Sequence, residues 1–250
     1  MWISLCAGQI RIIFMAAMAD PKQTPVPVAS DSDVEGFLAK VRAAPVAAPG
    51  KRGRLVFAMD ATMSRQPAWD QALAIQSDMF VEAGRAGGLD VQLVYFRGFN
   101  ECRASKWISD ATALARLMTA VDCRGGNTQI GRVLTHLKKE AAAAPVNAAV
   151  YVGDAMEENV DLLCRTAGEI GLLGVPVFMF QEGNDPIAER AYREIARLTR
   201  GAYFRFTAAS AKTLRELLSA VAVYAAGGRV ALTDRARAGG APALLLRQMK

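Results

Sequence analysis

The stretch Arg54-Leu-Val-Phe-Ala-Met-Asp60-Ala-Thr62-Met-Ser64 decides how the rest of this chain is read. Residues 55–59 form an unbroken apolar run, the composition of a strand covered on both faces. The run ends abruptly in an acid, and hydroxyls follow at alternate positions, Thr62 and Ser64. A strand that delivers Asp60, Thr62 and Ser64 to one point gathers hard oxygen atoms. Small divalent cations prefer such ligands, Mg²⁺ above all.

Downstream of that run, strand-like and helix-like segments alternate. Pro67 suits the first turn of a helix reaching about Arg85, and Gly87-Gly88 ends it. Residues 91–96 read as a second strand, and a turn at 98–100 leads to a short strand over 101–108 at the sheet edge. A helix is expected over 110–121 with Ser109 as its cap, and another over 130–143 after the loop Gly125-Gly126-Asn127-Thr128. The strand 148–152 leads into Gly153-Asp154-Ala155-Met156. A helix over 160–173, a strand over 175–180, a helix over 187–198, a short strand over 202–206 and a closing helix over 211–224 complete the series. This alternation predicts an α/β fold: a doubly wound, mainly parallel sheet with helices on both faces.

At 250 residues the chain accommodates one full-sized domain with appendages. Three segments are expected: 1–53, with a short helix over 32–42; the α/β domain, 54–226; and a basic tail, 227–250, whose Ala243-Leu244-Leu245-Leu246 run would either pack on the domain or serve as a partner-binding hook. The formal charge of +6 is met by scattered Arg on a solvated surface. The densest basic patch is Arg229, Arg235, Arg237, Arg247 and Lys250, and no basic run is interleaved with aromatics, which argues against specific nucleic-acid recognition. Cys6, Cys102, Cys123 and Cys164 show neither metal-ligand nor redox spacing, so free thiols in a reducing cytoplasm are the simpler account. No apolar run has the length of a membrane span. Residues 1–18 are apolar, yet they lack a basic opening and Arg11 interrupts them, which speaks against a signal peptide. Translation is expected to begin at Met15 or Met18.

In an open parallel sheet, ligands bind beyond the carboxyl ends of strands, where strand order reverses. Asp60 and Asp154 each end a strand. If those strands are neighbours, both acids overhang one crevice, and Thr128 can turn its hydroxyl toward it.

Taken in this order, the elements resemble the von Willebrand factor A (VWA) domain family over roughly residues 54–224. Asp60-Ala-Thr62-Met-Ser64 is similar to its metal-ion-dependent adhesion site (MIDAS), Asp-x-Ser-x-Ser; Gly-Gly-Asn-Thr128 resembles its threonine loop; Tyr-Val-Gly-Asp154 resembles its third element. The resemblance implies a Rossmann-like VWA fold, a reversal between the first and fourth strands, and a short antiparallel edge strand at 101–108. It also implies that Thr62, Ser64 and Thr128 touch Mg²⁺ or Mn²⁺, while Asp60 and Asp154 bind it directly or through waters. Thr62 departs from the usual Ser; its hydroxyl survives and its methyl crowds the site. The function implied is a non-enzymatic protein-interaction module, in which the metal takes an Asp or Glu carboxylate of a partner. Some intracellular bacterial members of the family work beside ATPase chaperones.

Glu157 and Glu158 are expected to favour the N-terminus of the helix that follows them. The sharper reading of Glu157 puts its carboxylate in the metal shell. His136 reads as a surface or half-buried histidine without a nucleophile nearby, Trp69 as a packing residue with a place on the rim as the alternative, and Trp107 as cover for the sheet edge. The alternative function is an Mg²⁺-dependent hydrolase of phosphate substrates. Haloacid-dehalogenase-type enzymes need a second acid where Thr62 stands, and no Gly-x-x-x-x-Gly-Lys-Ser/Thr loop occurs.

Overall fold

A computed structural model describes residues 35–36, 52–84, 86–207 and 211–237. Six strands form its sheet: β1 (Gly53–Asp60), β2 (Leu89–Arg97), β3 (Glu101–Ala104), β4 (Ala148–Gly153), β5 (Val177–Glu182) and β6 (Tyr203–Phe206). Their order is β3-β2-β1-β4-β5-β6, with β3 antiparallel to β2 and the remaining pairs parallel. The helices are α1 (Gln66–Gly84), α2 (Ala111–Thr119), α3 (Ile130–Ala143), α4 (Val160–Leu172), α5 (Pro186–Leu198) and α6 (Ala211–Arg237).

The apolar run of β1 makes it the central strand. Met59 lies opposite Tyr95 of β2 on one side and Val152 of β4 on the other. Alternate side chains divide between two cores. Leu55, Phe57 and Met59 join Trp69, Met79, Leu114 and Leu218, from α1, α2 and α6. Val56 and Ala58 join Ile130, Leu134, Leu163 and Ile195, from α3, α4 and α5. Each such large aliphatic or aromatic side chain contributes roughly 1.5–3 kcal/mol by leaving water.

Local choices differ from the sequence reading where a side chain competes with the backbone. The edge strand is shorter than 101–108. The Ser105 hydroxyl accepts from the Leu93 backbone N–H at 3.0 Å and donates to the Lys106 carbonyl, and the ladder resumes only as an isolated bridge between Val91 and Ile108. Asp110, not Ser109, caps α2: its carboxylate accepts from the Ala113 N–H at 2.8 Å, while the Ser109 hydroxyl donates to Asp90 at 2.9 Å. The closing helix does not stop at Tyr224. It continues to Arg237 across a break at Gly228, whose φ of 65° only glycine adopts readily.

Of the helix expected over 32–42, Glu35 and Gly36 are described and both are helical. The expected start at Met15 or Met18, Cys6, and the 243–246 run lie outside the described residues. Cys102, Cys123 and Cys164 are half-buried. Among the described residues no helix is long and apolar enough to cross a membrane.

Candidate functional site

The strand order reverses between β1 and β4. The chain leaves β1 for β2 on one side, and β4 arrives on the other. Because β1 and β4 are parallel neighbours, their carboxyl ends emerge together, with Asp60 and Asp154 just beyond the Met59–Val152 pair. That is where open α/β sheets place ligands.

Asp60 is only 2% exposed, and its carboxylate turns back on its own loop, accepting from the Thr62 N–H at 2.7 Å. This short-range bond is how Asp closes a tight turn. It feeds the single 3-10 turn Met63–Arg65 and sets the two hydroxyls side by side, Thr62 Oγ1 and Ser64 Oγ being 3.5 Å apart. Ser64 Oγ then donates to Asp154 Oδ2 at 3.1 Å, across to the other strand end. Asp60, Thr62, Ser64 and Asp154 are thus joined in one chain of polar contacts over the switch point.

Thr128 arrives on a loop stitched down on both sides. The Arg124 N–H donates to the Ala61 carbonyl at 3.0 Å, and the Asn127 N–H donates to the Gly98 carbonyl at 3.2 Å. Gln129 Nε2 donates to the Arg97 and Gly98 carbonyls. Gly126 makes this approach possible: a Cβ there would stand 2.1 Å from the Gly98 oxygen. Thr128 is buried, and its Oγ1 accepts from the Glu157 N–H at 3.1 Å while Glu157 Oε2 accepts from the Thr128 N–H at 3.3 Å. Thr128 and Glu157 therefore hold each other in a reciprocal pair.

The two glutamates do not serve the helix that follows them. Asn159 caps α4, accepting from the Leu162 N–H at 3.1 Å. Glu158 reaches back instead to the N-terminus of α3, accepting from the Ile130 N–H and, at 2.9 Å, from the Gly131 N–H. Burial raises its pKa, and the two backbone donors pull it the other way. Its oxygen occupies the space a side chain at Gly131 would need, 2.9 Å from the position of a Cβ. No local signal in the sequence links Glu158 to a helix so far upstream.

Among the described residues no three His, Cys, Asp or Glu side chains are grouped as a metal site. The acids here are Asp60 and Asp154, so any cation would need the hydroxyls of Thr62, Ser64 and Thr128 as well. Oxygen donors of this kind suit Mg²⁺ or Mn²⁺ and not Zn²⁺, which favours nitrogen and sulfur.

The other singled-out residues sit apart from this chemistry. His136 is half-buried on α3, its Nε2 2.8 Å from Gln92 Oε1, and burial lowers its pKa. Trp69 is buried and donates through Nε1 to the Met118 carbonyl at 3.0 Å, a packing role. Trp107 lies under the Arg54 guanidinium at 3.9 Å and donates to Glu140. Sequence reading did not single out Met63 or Phe99, which are 67% and 74% exposed. The pair of small residues that brings the Phe99 turn to the Thr128 loop, Gly98 and Gly126, was the only trace of that juxtaposition.

No protein-family profile and no curated protein matches the sequence. Solved structures do match by fold. A von Willebrand factor type A protein from Catenulispora acidiphila superposes with a TM-score of 0.54 at 19% identity, over 69% of this chain and 43% of that one. The SpRpn10 VWA domain gives 0.52 at 12% identity, over 68% and 93%. The pilus adhesin SpaC from Lactobacillus rhamnosus GG, in its open conformation, gives 0.57 at 10% identity, over 72% and 30%. The chain spans less than half the length of the first of these. At such identities the likeness is one of fold. The fold is α/β and Rossmann-like, of the VWA kind.

Proposed function

We propose that this chain is a divalent-cation-dependent protein-interaction module and not an enzyme. Asp60, Thr62, Ser64, Thr128 and Asp154 hold Mg²⁺ or Mn²⁺. The bound cation would supply a positive charge able to accept an Asp or Glu carboxylate from a partner protein. The polar chain Asp60–Thr62–Ser64–Asp154 at the switch point carries this reading.

The roles of the side chains follow from their contacts. The Thr62 N–H orients the Asp60 carboxylate. Ser64 links the two strand ends and keeps its oxygen between the acids. Two carboxylates balance a dication, and neutral hydroxyls fill further positions without adding charge, which leaves the site receptive to a partner's anion. Glu157 holds the Thr128 loop in place and is assigned that supporting role in preference to one in the metal shell. The likeness in fold to the pilus adhesin SpaC supports a binding role. A cytoplasmic partner beside an ATPase chaperone is the setting we favour.

Thermal unfolding of the EDTA-treated protein tests the reading. A cation bound only by the folded form at ~100 times its Kd adds about 2.7 kcal/mol of stability. Millimolar Mg²⁺ should raise the Tm of wild type and not that of Asp60→Ala. An unchanged Tm for wild type rejects it. Copurification from the native host with and without chelator then identifies the partner.

A further inference from the structure

The rim of the site carries a second chemistry. Met63 projects between Thr62 and Ser64, and Phe99 projects from the β2–β3 turn; both are mostly exposed, 67% and 74%. The segment 124–127 joins them, bonded at Arg124 to Ala61 and at Asn127 to Gly98. Guanidinium groups border the β2–β3 turn and this segment. Arg97 and Arg103 both pair with Glu101, at 3.1 and 3.3 Å. Arg124 reaches Asp122 only at 3.6 Å, with both side chains more than half exposed. Arg132 donates to the two oxygens of Asn100, neutral groups that do not offset its charge. Four cations, Arg97, Arg103, Arg124 and Arg132, are met in these contacts by two carboxylates, Glu101 and Asp122.

Single exposed apolar residues are ordinary on a protein surface. Methionine, an aromatic ring and arginines brought together are not: this is the composition that protein interfaces concentrate. The excess of positive charge makes the strip complementary to an acidic surface.

We propose that this strip docks a segment of a partner protein in which apolar side chains and further acids flank a central carboxylate. The apolar side chains rest on Met63 and Phe99, the flanking acids face Arg124 and Arg132, and the central carboxylate enters the oxygen cluster. Only the central carboxylate rests on the metal reading above; the strip does not.

The test uses the full-length chain and two bead-displayed pools of random peptides, one with a fixed central Asp and one with a fixed central Asn, selected in Mg²⁺ and in EDTA. Peptides from the Asp pool should carry Leu, Ile or Phe together with extra Asp or Glu beside the centre. Phe99→Ser and Met63→Ser should each weaken a selected peptide about tenfold, as truncation of an interface anchor does. Arg124→Gln with Arg132→Gln should flatten its salt dependence. Phe99→Ser should retain the Mg²⁺-induced rise in Tm, which shows that the fold and the oxygen cluster are intact. Enrichment of the central Asp alone, with no neighbour preference and no effect of Phe99→Ser, overturns the strip and leaves the metal reading standing. Apolar and acidic enrichment in both pools, indifferent to EDTA, does the reverse. No enrichment in either pool overturns the strip. Self-association in sedimentation velocity that Phe99→Ser abolishes also overturns it, by naming a second copy as the occupant.

Discussion

The two faces of the sheet obey different rules although they share the same strands. Toward α1, α2 and α6 the strands contribute Leu55, Phe57, Met59, Leu93, Val150, Val152, Phe178 and Phe180. Toward α3, α4 and α5 they contribute Val56, Ala58, Phe96 and Met179, but also Asp60, Gln92, Tyr151 and Gln181, all buried. A buried polar group costs stability unless it finds a partner. Gln92 Nε2 donates to the Ser105 carbonyl, and Gln181 donates to the Asp185 carbonyl and accepts from the Tyr203 hydroxyl. The first face can be filled by any well-fitting hydrophobe. The second holds particular atoms in particular places. Stability should therefore be concentrated on one side of the sheet, and chemistry on the other.

Substitutions on each side expose that division. Phe57→Ala on the apolar face should cost about 3–5 kcal/mol in denaturant unfolding, the usual loss for a buried Phe. Its response to Mg²⁺ should survive at temperatures where it stays folded. Asp60→Ala should reverse the pattern, losing the Mg²⁺-linked gain of about 2.7 kcal/mol at ~100 times Kd while disturbing the metal-free protein less than Phe57→Ala does. A Phe57→Ala protein as stable as wild type, or an Asp60→Ala protein that still responds to Mg²⁺, would erase the contrast. Glu158→Gln keeps the shape but loses the charge at the start of α3. A drop of roughly 1–2 kcal/mol is expected from weakening a charge-assisted pair of bonds, measured in the same unfolding series.

The smallest effect is one of pH. His136 is the only histidine, so its ring signals in an NMR titration are unambiguous. Burial holds its pKa below the ordinary 6.5. The unfolded chain then takes up the proton first. The stability contributed by the neutral ring is present above pH 6.5 and is lost as pH falls through that value toward the lower, folded pKa. A measured pKa at or above 6.5 would contradict the burial of this ring against Gln92.

Much of this was legible in the residues. The fold could be read because each crossover is punctuated by Gly or Pro and the inner strands are built around apolar residues. Asp60, Thr62 and Ser64 stood out because a buried strand cannot continue through an acid. Asp154 stood out for the same reason at the end of β4. Other features depend on distance in space, which leaves no local mark. Ser109 and Asp110 are both good caps, and the choice falls to Asp110 only because Asp90, folded in from β2, engages the Ser109 hydroxyl. Glu158 caps a helix that begins 28 residues earlier along the chain. That Met63 and Phe99 border the same strip depends on backbone bonds from 124–127 that no periodicity announces.

The contact of Gly126 with Gly98 has a mechanical consequence. With no side chain between them, the Thr128 loop and the tip of the β2–β3 turn touch backbone to backbone. A side chain at position 126 would wedge the two segments apart and shift Thr128 with them.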